Sequence, residues 1–131
     1  MYSLFFDGAS RGNPGPASFG GVIYNEKGEE LDTFNSYIGM ATNNVAEYCG
    51  LLGGLNRCRD LNIKHLRVFG DSNLVIQQIQ GKWKVKHPKL KGLYQQIRKI
   101  MPFFTTITFA HVYRDKNKRA DELANKALDA L

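Results

Sequence analysis

Residues 2–6 (Tyr-Ser-Leu-Phe-Phe) carry apolar side chains at positions that alternate between both faces of a strand. Such a run belongs to a strand buried on both sides, so the chain must supply a layer of structure above it and another below. The run stops at Asp7. The next ten positions, 7–16, are dense in Gly, Pro, Asn and Ser, which predicts a loop. Strand-like stretches over 18–24 and 30–37, joined by a turn at 25–28, predict an antiparallel meander. Thr42-Asn43-Asn44 supplies N-cap chemistry for a helix reaching about position 61. Gly50, Gly53 and Gly54 inside it each cost up to ~1 kcal/mol relative to Ala, a cost that close packing on a sheet would offset. Beyond it the pattern predicts a fourth strand at 64–70 and helices at 71–80 and 88–101. A fifth strand follows at 105–111, and a last helix begins near 117. The order β-β-β-α-β-α-α-β-α implies a mixed α/β sheet, parallel where helices intervene, with helices on its faces.

The 131 residues suit one domain spanning 1–131, with 43 % apolar and 23 % charged types, so a packed core is expected and disorder is not. No apolar stretch approaches the ~20 residues of a membrane span. Nothing at the N-terminus reads as a secretion leader, so a cytoplasmic location is expected. Cys49 and Cys58 lack metal-ligand spacing and read as buried, reduced thiols. The net charge is +6. Its distribution says more: no Asp or Glu lies between Ser72 and Arg114, whereas Lys82, Lys84, Lys86, Lys89, Lys91, Arg98 and Lys99 all do. A single-sign segment of that kind is a footprint for phosphates, or else a solvated Lys-rich loop and helix.

Four acids invite a closer reading, and each has an ordinary structural role open to it. Asp7 suits an Asp-Gly turn, Asp71 a helix N-cap, Glu47 a capping box with Asn44, and Asp121 the first turns of the last helix. Their joint geometry is less ordinary. If strands one and four are parallel neighbours, Asp7 and Asp71 stand at adjacent carboxyl ends about 4.8 Å apart in the backbone. The strand order reverses there, where open α/β sheets bind ligands. Carboxylates so close repel unless a cation intervenes, and oxygen ligands without Cys or His favour Mg²⁺ or Mn²⁺ over zinc. Two such ions ~3.5–4 Å apart clamp both oxygens of an in-line phosphoryl displacement.

Four ordered blocks carry a family resemblance. They are FFDGASRGNPGPASFGGV at 5–22, TNNVAEY at 42–48, FGDSNLVIQQIQGKWKVKHPKL at 69–90 and HVYRDKNKRADELAN at 111–125. The chain resembles a type 1 ribonuclease H, in a compact form without the long basic protrusion of some bacterial members. The resemblance implies the ribonuclease H-like fold, a five-stranded mixed sheet with helices on both faces. It implies an endoribonuclease that cuts the RNA strand of RNA–DNA hybrids with two Mg²⁺ ions (Mn²⁺ as substitute), leaving 5′-phosphate and 3′-hydroxyl ends. The family's metal ligands fall on Asp7, Glu47, Asp71 and Asp121. Asp7 and Asp121 would hold the ion that activates water, and Asp7, Glu47 and Asp71 the ion at the leaving oxygen. His111 matches a proton-shuttling histidine by its distance from Asp121. Its segment lacks the usual glycines, so it reads equally as a strand-end histidine, with Arg114 nearer the metals.

For the substrate, the resemblance favours Asn13, Thr42 and Asn44 as contacts. The stretch Gly8-Ala9-Ser10 would bring backbone close to a sugar–phosphate chain, where the 2′-hydroxyl tells RNA from DNA. Trp83, Lys84 and Lys86 would lie along the DNA strand. The shortness of that basic segment leaves open activity on double-stranded RNA, and a non-catalytic nucleic-acid-binding module is the other rival. The chain is read as a monomer with no membrane partner.

Overall fold

The computed structural model describes residues 1–131. Its elements are β1 (Tyr2–Ser10), β2 (Gly15–Tyr24), β3 (Glu30–Ala41), α1 (Asn43–Asp60), β4 (His65–Gly70), α2 (Asn73–Ile79), α3 (Pro88–Ile100), β5 (Thr106–His111) and α4 (Lys118–Asp129). Short 3₁₀ turns occupy Met101–Phe103 and Arg114–Lys116. The strands form one sheet in the order β3-β2-β1-β4-β5. β1, β2 and β3 run antiparallel to one another, while β4 is parallel to both β1 and β5. The central, doubly buried place predicted for the first strand is where β1 lies.

One expectation fails at the loop of residues 7–16. β1 continues through Asp7 to Ser10 and β2 begins at Gly15, so most of that stretch is paired strand: Asp7 faces Gly20 and Ser10 faces Ala17. Of the glycines that suggested a turn, Gly8 is there for close approach, whereas Gly12 (φ +111°) turns the chain in the bend left at 11–14. A Cβ on Gly8 would run into the backbone of Ala46 and Glu47, and one on Gly20 would lie 2.8 Å from the Leu123 carbonyl carbon. Sequence composition signals glycine but does not say whether the backbone turns or is crowded.

The two faces of the sheet are covered unequally. α1 lies over β1 and β2 on one side, where the missing Cβ of Gly54 makes room for Leu4 and Phe34 and that of Gly53 for Phe19. This is the close packing that offsets helix-interior glycines. α4 lies on the opposite side over β2, β1 and β3, tied by Ser18 Oγ–H to the Ala124 carbonyl and by Asn35 Nδ2–H to the Leu123 carbonyl (2.9 Å). Leu4, Phe6, Tyr48, Leu51, Leu55, Leu66, Val68, Ile76, Ile79 and Ile97 form the centre of the core. Cys58 is fully buried and Cys49 only partly so, which corrects the expectation of two buried thiols. Burial pushes the Cys58 thiol up to about 12 and raises Cys49, so both stay protonated. No helix is long and apolar enough to cross a membrane.

The glycines separate into crowded and free positions, and two substitutions distinguish them. Gly20→Ala forces a methyl into α4 and destabilises the fold by about 3 kcal/mol or more. Gly92→Ala, in open space on α3, stabilises it by about 0.5–1 kcal/mol through the unfolded chain and helix propensity. Urea unfolding of the two variants beside the wild type reads both signs.

Candidate active site

The ladder between β1 and β4 pairs Phe6 with Gly70, so Asp7 and Asp71 follow side by side at the carboxyl ends of two parallel strands. Glu47 reaches the same point from the second turn of α1. Carboxylate oxygens of Asp7, Glu47 and Asp71 lie within 4.8 Å of one another. Asp7 is 5 % exposed and Glu47 2 %. The Gly8 amide donates to Asp7 Oδ1 at 2.9 Å and also to Glu47 Oε1. The second oxygen, Glu47 Oε2, is buried without a hydrogen-bond partner.

The ordinary roles suggested for two of these acids are taken by other residues. Thr42 caps α1, accepting from the Val45 amide at 3.3 Å, so Glu47 is not a capping-box glutamate. Ser72 caps α2, accepting from the Val75 amide at 3.3 Å, so Asp71 is not a cap. Asp121 does sit in the first turn of α4, as expected, where Asn125 Nδ2 donates to its Oδ1 at 3.1 Å. It is exposed and stands outside the tight trio but lines the same cleft of about 300 Å³, together with Arg114.

Electrostatically the trio is poised against itself. Burial, with the charges of Asp71 and Asp121 adding to it and contact with Glu47 opposing it, raises Asp7 to about 7. Burial first, then Asp7 and Asp71, lifts Glu47 well above the usual carboxylate range. None of the four acids forms a salt bridge with Lys or Arg. A cluster of hard oxygen donors with one buried oxygen unsatisfied and no internal cation fits a divalent metal ion.

Other expected residues are distributed around this centre. His111 is the last residue of β5, with Nε2 3.3 Å from the Asp71 carbonyl oxygen and its ring edge-on to Tyr113. It stands on a strand and not on a mobile glycine-rich loop. Gly8, Ala9 and Ser10 line the acid cleft as strand residues. Asn13, Thr42 and Asn44 line a separate hollow of about 180 Å³ with His87 and Leu90. The Asn13 side chain accepts from the Asn43 amide at 3.0 Å. Trp83 and Lys84 line a third hollow of about 540 Å³ with Lys91 and Tyr94, and Lys86 is exposed beside them.

Sequence reasoning missed Asn117. Its side chain is 2 % exposed, and Nδ2 donates both to the Phe6 carbonyl (2.9 Å) and to Asp71 Oδ2 (3.2 Å). One amide thereby links the two strands at the point where their acids emerge. An Asn ahead of a helix reads as an N-cap, but Asn117 makes no side-chain cap bond. Asn125 was legible in principle, four positions after Asp121 on one helix face.

Comparison with known proteins agrees with this arrangement. A family profile described as reverse transcriptase-like matches residues 5–127. The ribonuclease H of Hydrogenovibrio crunogenus is 36 % identical over 148 aligned positions, covering 98 % of this chain and 95 % of that protein. Ribonuclease HI of Halobacterium salinarum is 42 % identical over 125 residues, 95 % of this chain and 63 % of its own length. A bifunctional protein of Mycobacterium tuberculosis is 46 % identical over 95 % of this chain, which spans only 34 % of that relative. Among solved structures, RNase H1 of Halobacterium salinarum superposes with a TM-score of 0.97 at 40 % identity, covering 99 % and 98 % of the two chains. An RNase H1 solved in complex with an RNA/DNA hybrid gives 0.94 at 42 % identity, covering 99 % and 98 %. Sheet order and acid cluster together define the ribonuclease H-like class of nucleases. Within that class, the chain belongs to the type 1 ribonuclease H family.

The raised acids make a stability prediction. Asp7 is lifted from 3.8 to about 7 in the folded chain, so the native state holds a proton across that window that the unfolded chain has lost. Stability of the metal-free protein therefore falls as pH rises through the window, and the penalty is complete above it. In EDTA at pH 8, Asp7→Asn melts several degrees above the wild type, and the gap narrows as pH falls and closes only below the ordinary value of 3.8. Thermal melts across pH, with and without Mg²⁺, check both trends.

Proposed function

We propose that the chain is an endoribonuclease that hydrolyses the RNA strand of RNA–DNA hybrids, leaving 5′-phosphate and 3′-hydroxyl ends. The observation that carries this reading is the trio Asp7, Glu47 and Asp71, within 4.8 Å and with Glu47 Oε2 unsatisfied, at the open ends of two parallel strands. Asp7, Glu47, Asp71 and Asp121 would hold two divalent ions, Mg²⁺ with Mn²⁺ as a substitute. Bound there, such ions lower the pKa of an attacking water and neutralise charge on the leaving oxygen.

The chain's own residues do the positioning. Gly8 N–H and Asn117 Nδ2–H fix carboxylate oxygens before any substrate arrives, which lowers the reorganisation needed during reaction. Arg114, on the rim of the acid cleft, supplies a cation for a scissile or neighbouring phosphate. His111 is the proton carrier: with Nε2–H donating to the Asp71 carbonyl, Nδ1 is left to take up or release a proton. Gly8, Ala9 and Ser10 line the cleft where a 2′-hydroxyl would be read. Asn13, Thr42 and Asn44 offer a polar hollow for a backbone phosphate, and Trp83, Lys84 and Lys86 flank the DNA strand. The enzyme is read as a cytoplasmic monomer.

A labelled RNA strand, presented alone, paired to RNA and paired to DNA, tests the reading in Mg²⁺, Mn²⁺ and EDTA. The expected result is metal-dependent cutting of the hybrid only. Cutting of the RNA duplex as well would assign a broader ribonuclease, and binding without cutting would leave a nucleic-acid-binding module. Asp71→Asn should lower the rate by about 10³-fold or more while the variant melts no lower than the wild type. Hydrolysis that survives this change removes the metal-site assignment. His111→Ala should slow cleavage by about 10²-fold, within the range of a lost proton shuttle, and not abolish it.

A further inference from the structure

Residues 81–87 join α2 to α3 without regular structure and present Lys82, Lys84 and Lys86 around the chain's only tryptophan. Like charges this dense repel, and a connector of this kind is mobile unless something fixes its middle. Its first three residues are held locally, by the amides of Gly81 to the Gln78 carbonyl (3.0 Å) and of Lys82 and Trp83 to the Gln77 carbonyl (2.9 and 3.3 Å). These bonds only close the end of α2. The middle is held differently. Gln78 Nε2 donates to the Lys84 carbonyl at 3.0 Å, while its Oε1 accepts from the Tyr48 hydroxyl. Gln78 is 5 % exposed and Tyr48 fully buried. Each polar atom of that buried amide therefore has one partner, one in the core of α1 and one on the basic segment. The next side chain, Val85, packs against the core cluster.

An apolar residue of the same length would fill that position without desolvating an amide. What the glutamine adds is position: it pins the midpoint of the basic segment to the helix that carries Glu47. We infer that Gln78 is a specificity-positioning residue, which holds Trp83 and Lys84 as a fixed wall at a set place relative to the acids, so that the short segment grips the DNA strand of a hybrid without a long protrusion. This rests on the functional reading above. Ordering lysines in advance removes an entropy cost from binding, so the effect belongs in affinity and not in the chemical step.

Trp83 reports on the wall without any substrate, since it is the sole tryptophan and 47 % exposed. Gln78→Met keeps the length and loses both bonds. Gln78→Glu keeps an acceptor for Tyr48 but has no donor for Lys84, and serves if the methionine variant folds poorly. Tyr48→Phe cuts the other half of the pin, leaving the Lys84 bond but releasing Gln78 from α1. Acrylamide quenching and fluorescence anisotropy of Trp83 are measured first, on the free proteins. Both Gln78 variants should show a freer Trp83, with a quenching constant about twofold higher, and Tyr48→Phe a smaller rise in the same direction. In hybrid cleavage, KM should rise about 10-fold with kcat within about twofold, and the salt dependence of KM should weaken by about one phosphate contact. A merely structural role would lower the melting temperature and leave the salt slope alone. Trp83 equally restrained in wild type and both Gln78 variants overturns the inference, as does a freed Trp83 with unchanged KM. A wild type that cuts no hybrid overturns the functional reading instead, and the Trp83 signal, which needs no nucleic acid, tells the two failures apart.

Discussion

Parallel pairing of β1 with β4 sets the terms for everything else in the molecule. Phe6 lies opposite Gly70, and the absence of a side chain at Gly70 makes room for the Phe6 ring, because a Cβ there would lie 2.6 Å from Cε1. That contact fixes the register, and the register delivers Asp7 and Asp71 together one residue later. A slip of one residue would send the two acids to opposite faces of the sheet. The meander on one side of β1 and the α/β units on the other make this the place where the chain reverses its direction of growth, so the acids open onto a crevice and not into a neighbouring strand.

The same convergence is a liability for folding. Three carboxylates converge, two of them almost fully buried, and no lysine or arginine pairs with them. The fold carries this strain because its restraints are independent of the acids: Gly8 N–H is fixed by the β1 backbone, and Asn117 Nδ2 by the Phe6 carbonyl as well as by Asp71. Sites of this kind trade stability for a preorganised charge distribution. α1 approaches closely enough to bring in Glu47 only because Gly8 has no side chain, so one residue serves both packing and electrostatics.

How much of this was legible in the sequence follows from the range of each signal. Periodicity and turn chemistry are local, and they located all five strands and four helices in order. The acids were legible because strand ends and helix starts could be placed, and the family blocks named the same four positions. Composition overstates the loop at 7–16 because Gly8 serves a close contact with α1, a tertiary cause with the same composition as a turn, while only 11–14 bend. Asn117 and Gln78 left no local trace. Each is a polar residue at a helix start or on a helix face, ordinary until the fold buries it and shows one amide bonded to a backbone carbonyl of one segment and to a side chain of another. Long-range side-chain to backbone bonds are invisible to any pattern that counts along the chain.

The Gln78 amide acts through α1. Glu47 and Tyr48 are consecutive, and successive residues of an α-helix point about 100° apart. One therefore faces the acid cleft while the next faces α2, and a single turn of helix is braced toward both the clustered acids and the basic segment. Gly50, Gly53 and Gly54 immediately beyond let that turn sit hard against Phe19, Leu4 and Phe34, so it has little freedom to tilt. Rigid placement of this kind matters most when a binding surface is small. A long protrusion can find a strand by moving, at an entropic cost met through many contacts. A segment of seven residues with three lysines has few contacts to offer any ligand, so its placement in advance weighs more than it would in a longer one.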